Sequence, residues 1–269
     1  DLHSFPTRRS SDLLRMTELA GKRVLITRPR EQYADFEVQL SALGAIPLAF
    51  PVISIDPIDN PQDLDQALGN LEKYEWVVFT SVNGVNAVWK RMTLSGVTQF
   101  PSSIKIAAIG PKTATALQEI GAIVNFMPSE YIAEAILPGL GDIKDQWILL
   151  LRADIARPDL ANAIQKAGGK AHEIAVYHTI QGSPSDSEWD EFLKGVEIIT
   201  FTSASTVRNF MELINNRNID LHRAAQKALV ACIGPIAART AREYGLKVDI
   251  VAEEYTIEGL VSAIQNNDN

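Results

Sequence analysis

Short apolar runs alternate with amphipathic segments along most of the chain. The stretch WVVFTSVNG, residues 76–84, contains four residues typical of a buried strand, then Thr80-Ser81, and helical spacing of apolar residues from Val82. The stretch IITFTSASTVRNF, residues 198–210, repeats this pattern, with Thr202-Ser203 in the place of Thr80-Ser81. Each stretch therefore predicts a strand, a polar turn and a helix.

The same alternation predicts the remaining elements. Strands are expected at 22–27, 46–50, 76–79, 105–109, 122–126, 146–151, 170–180, 196–201, 229–233 and 247–251. Helices are expected at 33–43, 64–71, 82–92, 112–120, 132–140, 158–166, 188–194, 206–214, 236–244 and 257–265. Because strands that alternate with helices form parallel sheets covered on both faces, the predicted fold class is α/β.

Two parts of the chain are similar to one another. The stretch IAAIGPKTATALQEIGAIV, from Ile106, matches LVACIGPIAARTAREYGLKV, from Leu229, and this match aligns Gly110 with Gly234. Arg28 and Arg152, each near the end of an apolar run, are separated by the same number of positions as the two glycines. The repeat predicts two similar flavodoxin-like lobes, each built on a parallel sheet.

The order of the copies predicts that the lobes are interleaved. The first lobe is expected to comprise residues 16–51 and 181–269, and the second lobe residues 59–171. The extended stretches 52–58 and 172–180 would join them as a two-stranded linker, and the prolines that bracket the first stretch disfavour a central strand there.

The first fifteen residues, DLHSFPTRRSSDLLR, lack the continuous apolar segment of a secretory signal. They resemble translated adapter sequence placed ahead of a natural start at Met16, and a short disordered tail is the alternative. Neither interpretation bears on function.

Composition excludes several classes of protein. The chain has 269 residues, 46% of them hydrophobic, and its net charge of −8 argues against a general surface for nucleic acid or anionic membrane. No apolar run approaches the roughly 20 residues that a membrane-spanning helix needs. One cysteine, Cys232, excludes an internal disulfide, so a reducing cytoplasm fits best.

The sequence also argues against a bound metal or cofactor. The four histidines, His3, His172, His178 and His222, are not grouped with cysteine or carboxylates at the spacing of metal ligands. The chain contains no GxGxxG and no GxxxxGK[ST] motif, which removes the usual nucleotide fingerprints. We therefore expect no metal site and none of the usual nucleotide-binding motifs.

Candidate binding residues fall where the predicted strands end. Ligands of open parallel sheets bind at the carboxyl ends of strands, where helix N-termini present free N–H groups. Gly110 and Gly234 are each followed by proline at the first helical position, and such turns favour anion binding when several face one ligand. Taken singly, each turn is equally consistent with ordinary helix capping.

Seven segments, in order, resemble the uroporphyrinogen-III synthase family: VLITRP, WVVFTSVNGV, IAAIGPKTA, AVYHT, ITFTSASTV, CIGPIAA and EYTIEGLV. The resemblance extends from Lys22 to Ile264. That family, a group of lyases in haem biosynthesis, cyclises hydroxymethylbilane to uroporphyrinogen III with loss of water and inversion of the terminal pyrrole. The resemblance implies a monomeric cytoplasmic enzyme without cofactor, whose linear tetrapyrrole substrate carries eight carboxylates. It also suggests a transient contact with the preceding enzyme of the pathway.

The resemblance makes Tyr177 the catalytic candidate, because the tyrosine of the VY-x-T segment is a proposed catalytic residue of the family. A phenol, with a reference pKa of about 10, stays protonated at neutral pH and can donate to the leaving hydroxyl. Strict alternation would place Tyr177 on a mixed face with Glu173, Ala175 and Thr179, opposite Ile174 and away from the core. A tyrosine that serves only strand packing is the alternative.

The candidate substrate-binding residues lie in the polar turns and at the two aligned arginines. They are Arg28, Thr80, Ser81, Asn83, Gly84, Gly110, Lys112, Thr113, Arg152, Thr202, Ser203, Ala204, Ser205, Gly234, Pro235 and Ile236. For any one arginine, a solvated surface position is the alternative. The family often carries a threonine after the second IGP turn, where this chain has Ile236-Ala237, so backbone contacts are expected there.

Two other classes share this architecture. A two-lobed solute-binding protein would bind a small anionic ligand without catalysis, and the absence of a secretory signal counts against an exported one. A flavodoxin-like electron carrier would need a phosphate loop for FMN.

Overall fold

A computed structural model describes residues 19–130, 133–221, 225 and 227–267. The chain divides into two compact units. The first unit comprises the residues up to Ser54 together with those from Ile180 onward, and the second comprises Ile55–Thr179. The predicted N-terminal tail lies outside the described residues.

The strands follow the predicted apolar runs closely. They are β1 (Arg23–Ile26), β2 (Ile46–Ala49), β3 (Ile53–Pro57), β4 (Trp76–Phe79), β5 (Lys105–Ala108), β6 (Val124–Phe126), β7 (Trp147–Ala153), β8 (Lys170–Gln181), β9 (Ile198–Phe201), β10 (Leu229–Cys232) and β11 (Ile250–Val251). The last strand is shorter than the predicted 247–251, and β6 begins two residues later than predicted.

The α-helices alternate with these strands. They are α1 (Ala34–Ala42), α2 (Gln62–Leu68), α3 (Val82–Leu94), α4 (Pro111–Glu119), α5 (Leu137–Leu140), α6 (Asp159–Lys166), α7 (Asp186–Leu193), α8 (Ala204–Asn216), α9 (Pro235–Glu243) and α10 (Ile257–Asn266). Short 3-10 turns occur at Arg30–Gln32, Leu71–Lys73 and Ala133–Ile136.

The prediction of one continuous helix at 132–140 needs correction. Its first residue lies outside the described part of the chain, and the rest consists of the 3-10 turn Ala133–Ile136 followed by the four residues of α5. Pro138 stands in the first turn of α5, and Gly141 ends it with a φ of 74°, in the left-handed region that favours glycine. The sequence pattern alone did not register this break.

Within the described residues, the first unit holds a five-stranded sheet of order β11-β10-β9-β1-β2, and its pairs are parallel. The second holds a six-stranded sheet of order β3-β8-β7-β4-β5-β6, with parallel pairing from β8 to β6. Read from β6, its order matches the first sheet strand for strand, with β3 added at the edge. The predicted α/β class with two interleaved parallel-sheet lobes is therefore confirmed.

The interleaving follows from the repeat. In both sheets the copies occupy the same places: β1 corresponds to β7, β9 to β4, and β10 to β5. The first unit takes β1 and β2 from the start of the chain and resumes only after β8, whereas the second unit reaches β7 and β8, the counterparts of β1 and β2, last. The strands β3 and β8 lie next to each other at the edge of the six-stranded sheet.

Each sheet is covered on its faces by apolar side chains. In the first unit the ring of Phe50 contacts Trp189 at 4.7 Å, Phe192 at 5.2 Å and Phe210 at 5.8 Å between ring centroids. In the second unit Val77, Phe79 and Leu149 are fully buried on one face, with Trp76 and Val78 on the other. Strands buried on both faces explain the continuous apolar runs that the sequence shows.

A bulge in β8 sets the orientation of its last residues. Along the β7–β8 pair, Arg152 lies opposite Ala175 but Ala153 lies opposite Tyr177, so Val176 is the extra residue. A bulge interrupts the alternation of side chains. Tyr177 consequently joins the same apolar cluster as Ile174 and is only 7% exposed. The predicted placement of Tyr177 on a mixed face away from the core is therefore wrong.

Candidate active site

Polar turns follow neighbouring strands at the carboxyl edge of each sheet. In the second unit, Thr80-Ser81 follows β4 and Gly110 follows β5 after a single residue. In the first unit, Thr202-Ser203 follows β9, and Gly234 follows β10 after a single residue. These strands are adjacent and parallel within each sheet, so each unit brings its turns to one edge.

Tyr177 contacts the first polar turn of the second unit directly. Its phenol oxygen lies 2.9 Å from Oγ of Ser81, and the Ser81 hydroxyl also accepts a hydrogen bond from the N–H of Gly84 at 3.1 Å. Ser81 is thus the N-cap of α3 and the partner of Tyr177 at the same time. The phenol is linked through one hydroxyl to the N-terminus of a helix.

Glycine at position 84 permits this close approach. A Cβ on Gly84 would lie 3.2 Å from the carbonyl oxygen of Leu151 and 3.9 Å from the Tyr177 ring. The first turn of α3 therefore lies directly against the end of β7 and the tyrosine. Thr80, Ser81 and Asn83 are half-buried around it.

The surroundings of Tyr177 keep its phenol protonated. Burial raises the pKa of Tyr177 above its ordinary value of 10, and the nearby carboxylate of Asp154 adds to this effect. The hydrogen bond with Ser81 and the positive charge of Arg152 act in the opposite direction. Because the net shift is upward, the hydroxyl is available as a proton donor at neutral pH.

Asp154, the residue after β7, holds the backbone beside Tyr177. Its N–H donates to the carbonyl oxygen of Tyr177 at 3.1 Å. Its Oδ1 accepts from the N–H groups of Ile155 and Thr179, at 2.9 and 3.0 Å, and its Oδ2 lies 2.9 Å from Nδ1 of His178. Sequence reasoning missed this residue. The available signal was its position directly after the strand in LLRAD.

Arg152 forms hydrogen bonds with other residues of the same chain. It is 4% exposed, its Nη1 donates to Oε2 of Glu173 at 2.5 Å, and its Nη2 donates to the carbonyl oxygen of Arg157. Its Nε is buried and has no hydrogen-bond partner among the described residues. The arrangement differs from the solvated surface position that is usual for arginine. Because the guanidinium is buried, its positive charge interacts electrostatically with the phenol of Tyr177.

The second turn of this unit begins α4. Gly110 has a φ of 87°, which favours glycine, and Pro111 occupies the first position of the helix. Lys112 is exposed at this N-terminus, whereas Thr113 is 4% exposed and belongs to the interior. Only Lys112 of these two candidates presents its side chain to solvent.

The first unit carries the matching turn without the tyrosine. Ser203 caps α8 in a reciprocal arrangement with Thr206, whose N–H donates to Oγ of Ser203 at 3.1 Å. Thr202, Ala204 and Ser205 are half-buried beside it. Both polar turns are therefore genuine helix caps, and capping leaves other N–H groups of the first turn free to bind anions.

Arg28, at the end of β1, is half-buried. Its Nη2 donates to Oε1 of Gln32 at 2.5 Å, and its Nε is buried without a partner in the part of the chain that the structure describes. Burial lowers the pKa of Arg28, and the carboxylates of Asp35 and Glu258 oppose this shift. An arginine ordinarily titrates far above neutral pH, so Arg28 remains a cation at the carboxyl edge of this sheet.

The turn Gly234-Pro235-Ile236 lies beneath an exposed aromatic ring. A Cβ on Gly234 would lie 3.0 Å from Cδ1 of Tyr255, a residue that is 66% exposed. Ile236 is 65% exposed at the N-terminus of α9. Sequence reasoning did not single out Tyr255, although it lies in EYTIEGLV. Glycine at 234 makes room for the ring.

Among the described residues, no group of three or more His, Cys, Asp and Glu side chains could hold a metal ion. Over the same part of the chain, no helix has the length and apolar character needed to cross a bilayer. Cys232 is buried, and burial raises the pKa of its thiol to about 12.

Comparison with known proteins identifies the class. The family model described as uroporphyrinogen-III synthase HemD matches residues 34–262. This match, with two interleaved parallel sheets, defines a cyclising lyase-type enzyme of haem biosynthesis that acts on a tetrapyrrole. The chain belongs to the uroporphyrinogen-III synthase family. The match favours this class over the solute-binding protein and the electron carrier.

Relatives match over most of the chain. A uroporphyrinogen-III synthase of Synechococcus elongatus is 31% identical over 252 residues, which cover 92% of this chain and 96% of that protein. A porphyrin biosynthesis protein HemD of Ruminiclostridium josui is 29% identical over 251 residues, 91% of this chain and 48% of that protein.

Solved structures share the fold. A uroporphyrinogen-III synthetase from Helicobacter pylori gives a TM-score of 0.62 at 16% identity, covering 91% of this chain and 99% of that chain. A mutant uroporphyrinogen III synthase from the extremely thermophilic bacterium Thermus thermophilus gives 0.60 at 19% identity, covering 92% and 98%.

Proposed function

We propose that this chain cyclises hydroxymethylbilane to uroporphyrinogen III and that Tyr177 donates the proton with which the substrate hydroxyl leaves as water. The hydrogen bond of 2.9 Å between Tyr177 and Ser81 carries the proposal, because it links a protonated phenol to the carboxyl edge of the sheet. A general acid within hydrogen-bond reach of a leaving group typically accelerates its departure by about 10² to 10⁴.

The proton balance is simple. The pyrrole nitrogen supplies the electron pair that breaks the carbon–oxygen bond, Tyr177 supplies the proton, and water, an azafulvene that keeps its N–H and is therefore cationic, and the Tyr177 phenolate result. The terminal pyrrole then attacks the azafulvene through its own substituted carbon, and a spiro intermediate forms and rearranges with inversion of that ring. Loss of a ring proton at closure restores the phenol, so the net change is loss of one water.

Ser81 stabilises the phenolate that this step produces. Its hydroxyl can donate to the Tyr177 oxygen while its own oxygen accepts from the N–H of Gly84. That N–H belongs to the first turn of α3, which carries the partial positive charge of a helix N-terminus. Negative charge on the phenol oxygen is therefore met by a hydrogen bond that is itself polarised by the helix.

In this proposal, helix N-termini at the carboxyl edge of a sheet bind carboxylates of the substrate. Taken by itself, the second unit offers the N–H groups around Ser81 and Gly110, and the first unit, also by itself, offers those around Ser203 and Gly234. Lys112 adds an exposed positive charge. The buried, internally bonded guanidinium of Arg152 supports a structural role instead.

The expected setting is a monomer in the cytoplasm. The single buried cysteine, Cys232, fits a reducing compartment. Any contact with the preceding enzyme of the pathway would be transient. Light scattering of the purified chain during gel filtration tests the monomer.

The decisive experiment uses freshly made hydroxymethylbilane. Products are oxidised, and the type I and type III uroporphyrin isomers are separated by chromatography. We expect mainly type III, formed faster than in a blank, because uncatalysed closure gives type I. Type I alone, at the blank rate and from folded protein, would exclude the activity.

A further inference from the structure

We propose that Asp154 is a positioning residue for the reaction, because it locks β8 in the bulged register that directs Tyr177 towards Ser81. The proposal rests on the proposed function of Tyr177, and it concerns a residue that does not touch the reacting atoms. Asp154 follows directly after the last residue of β7, the strand that pairs with β8.

The contacts of Asp154 bracket the tyrosine. Its N–H binds the carbonyl oxygen of Tyr177, and its carboxylate accepts from the N–H of Thr179 and lies 2.9 Å from the ring of His178. Asp154 thereby contacts three consecutive residues of β8. An ordinary turn-capping aspartate binds the backbone just after itself, which here accounts only for the contact with Ile155.

The carboxylate replaces a missing strand residue. Because β7 ends at Ala153, no further residue of β7 offers a carbonyl oxygen to the N–H of Thr179. Oδ1 of Asp154 accepts that N–H at 3.0 Å. The ladder between the two strands is therefore extended past the bulge by one side chain.

The register matters because side chains alternate along a strand. With Val176 accommodated as the extra residue, Tyr177 lies opposite Ala153 and on the face of Ile174. In an unbulged strand the same tyrosine would share the face of Glu173 and Ala175. Its hydroxyl would then point away from Ser81, so the bulge selects one of two faces for the catalytic candidate.

The test follows the phenol of Tyr177 independently of turnover. Protein with ¹³Cζ-labelled tyrosine is titrated by NMR, and the Tyr177 signal is assigned by its loss in Tyr177→Phe. In the unsubstituted chain we expect Tyr177 to titrate above the ordinary pKa of about 10. In Asp154→Ala we expect this signal to move to that of an exposed tyrosine, and kcat to fall about tenfold with KM within about twofold.

Matched variants separate positioning from general stability. Asp154→Asn keeps the acceptor for Thr179 and should retain the chemical shift of a buried Tyr177 and most of the activity, with the pKa of Tyr177 lowered only by the loss of the Asp154 charge. Asp142→Ala removes an aspartate that, among the described residues, accepts from the local N–H of Lys144 at 3.1 Å, so it should change neither. Asp154→Ser is too short to bridge Thr179 and His178, and it replaces Asp154→Ala if that variant does not fold.

An unchanged Tyr177 signal in folded Asp154→Ala or Asp154→Ser overturns the proposal, whatever the activity. In the Tyr177→Phe background, Asp154→Ala should cost no further kcat, since its effect passes through the phenol. If Tyr177→Phe keeps full activity, the donor assignment fails, yet the NMR signal still decides whether Asp154 orients the ring.

Discussion

The phenol oxygen of Tyr177 lies 2.9 Å from the hydroxyl oxygen of Ser81, a residue 96 positions earlier in the chain. One belongs to the bulged end of β8 and the other to the N-terminus of α3. The contact depends on the bulge at Val176 and on the absence of a side chain at Gly84. It places a protonated phenol beside the positive end of a helix.

Tyr177→Phe should reduce the rate of type III formation by about a hundredfold or more with little change in KM, because it removes the donor and leaves the ring. The measurement is steady-state turnover with hydroxymethylbilane. Tyr244→Phe is the control. It alters the tyrosine at the C-terminus of α9, at the other end of that helix from the Gly234 turn, and it should leave the rate unchanged. An unaltered rate in Tyr177→Phe would remove the donor assignment.

Ser81→Ala should lower both stability and turnover. Loss of an N-cap costs about 1 kcal/mol of unfolding free energy, and the Tyr177 oxygen loses its partner. Ser185→Ala is the control, because Ser185 caps α7 in the first unit and has no role in the proposed site. Urea unfolding should give similar losses for the two variants, with turnover reduced only in Ser81→Ala. Equal turnover in both would contradict the role of Ser81.

Glu173→Ala should destabilise the protein more than its exposure suggests. The guanidinium of Arg152, 5% exposed, would remain buried with one partner fewer, which we expect to cost about 2 kcal/mol after allowance for the 39% exposure of Glu173. Asp65→Ala breaks a pair with Arg91 in which both side chains are about a third exposed, and it should cost clearly less because solvent screens that pair. Denaturant midpoints of both variants decide; equal losses would argue against a buried charge at Arg152.

The two described histidines should respond to pH in opposite directions. His178 has a raised pKa, chiefly through its hydrogen bond with Asp154 and also through Asp154, Asp59 and Asp56 as charges. Its contribution to stability is present below the unfolded pKa of about 6.5 and is lost as pH rises through the folded value.

His172 has a lowered pKa, chiefly through burial and also through Lys73, with Asp63 opposing, and its Nδ1 lies 2.6 Å from the hydroxyl of Tyr74. The contribution of His172 to stability is present above its unfolded-state pKa of about 6.5 and is lost progressively as pH falls below that pKa. Urea unfolding between pH 5 and 9 should show His178→Ala converging with the unsubstituted chain at high pH, and His172→Ala converging at low pH. Parallel curves would contradict both assignments.

Sequence reasoning located the elements because their signals are local. Apolar runs such as Trp76–Phe79 located the predicted strands within two residues at each end, except at the start of β11, and the repeated turns after β4 and β9 indicated two related sheets. Chain order of the copies was enough to predict interleaving, since each copy must complete its own sheet. The seven ordered segments pointed to the family that the comparisons then showed.

The break in the helix predicted at 132–140 and the short β11 were decided by packing and turn geometry. A Cβ on Gly139 would collide with the Phe126 ring at 2.2 Å, a contact between residues of different elements that no periodicity records. The ends of such helices and strands depend on the residues of other elements against which the segment packs.

The positions of the site residues were likewise determined partly by the sequence and partly by the tertiary structure. Sequence by itself determined that Ser81 and Ser203 cap helices after parallel strands and that Tyr177 lies near the end of an extended segment. Tertiary structure alone decided which face Tyr177 occupies, because a one-residue bulge reverses every side chain beyond it and depends on the partner strand. The tertiary structure also decided that Arg152 donates to Glu173 and that Asp154 accepts from the backbone of β8. Hydrogen bonds between residues far apart in the sequence cannot be predicted from local residue patterns.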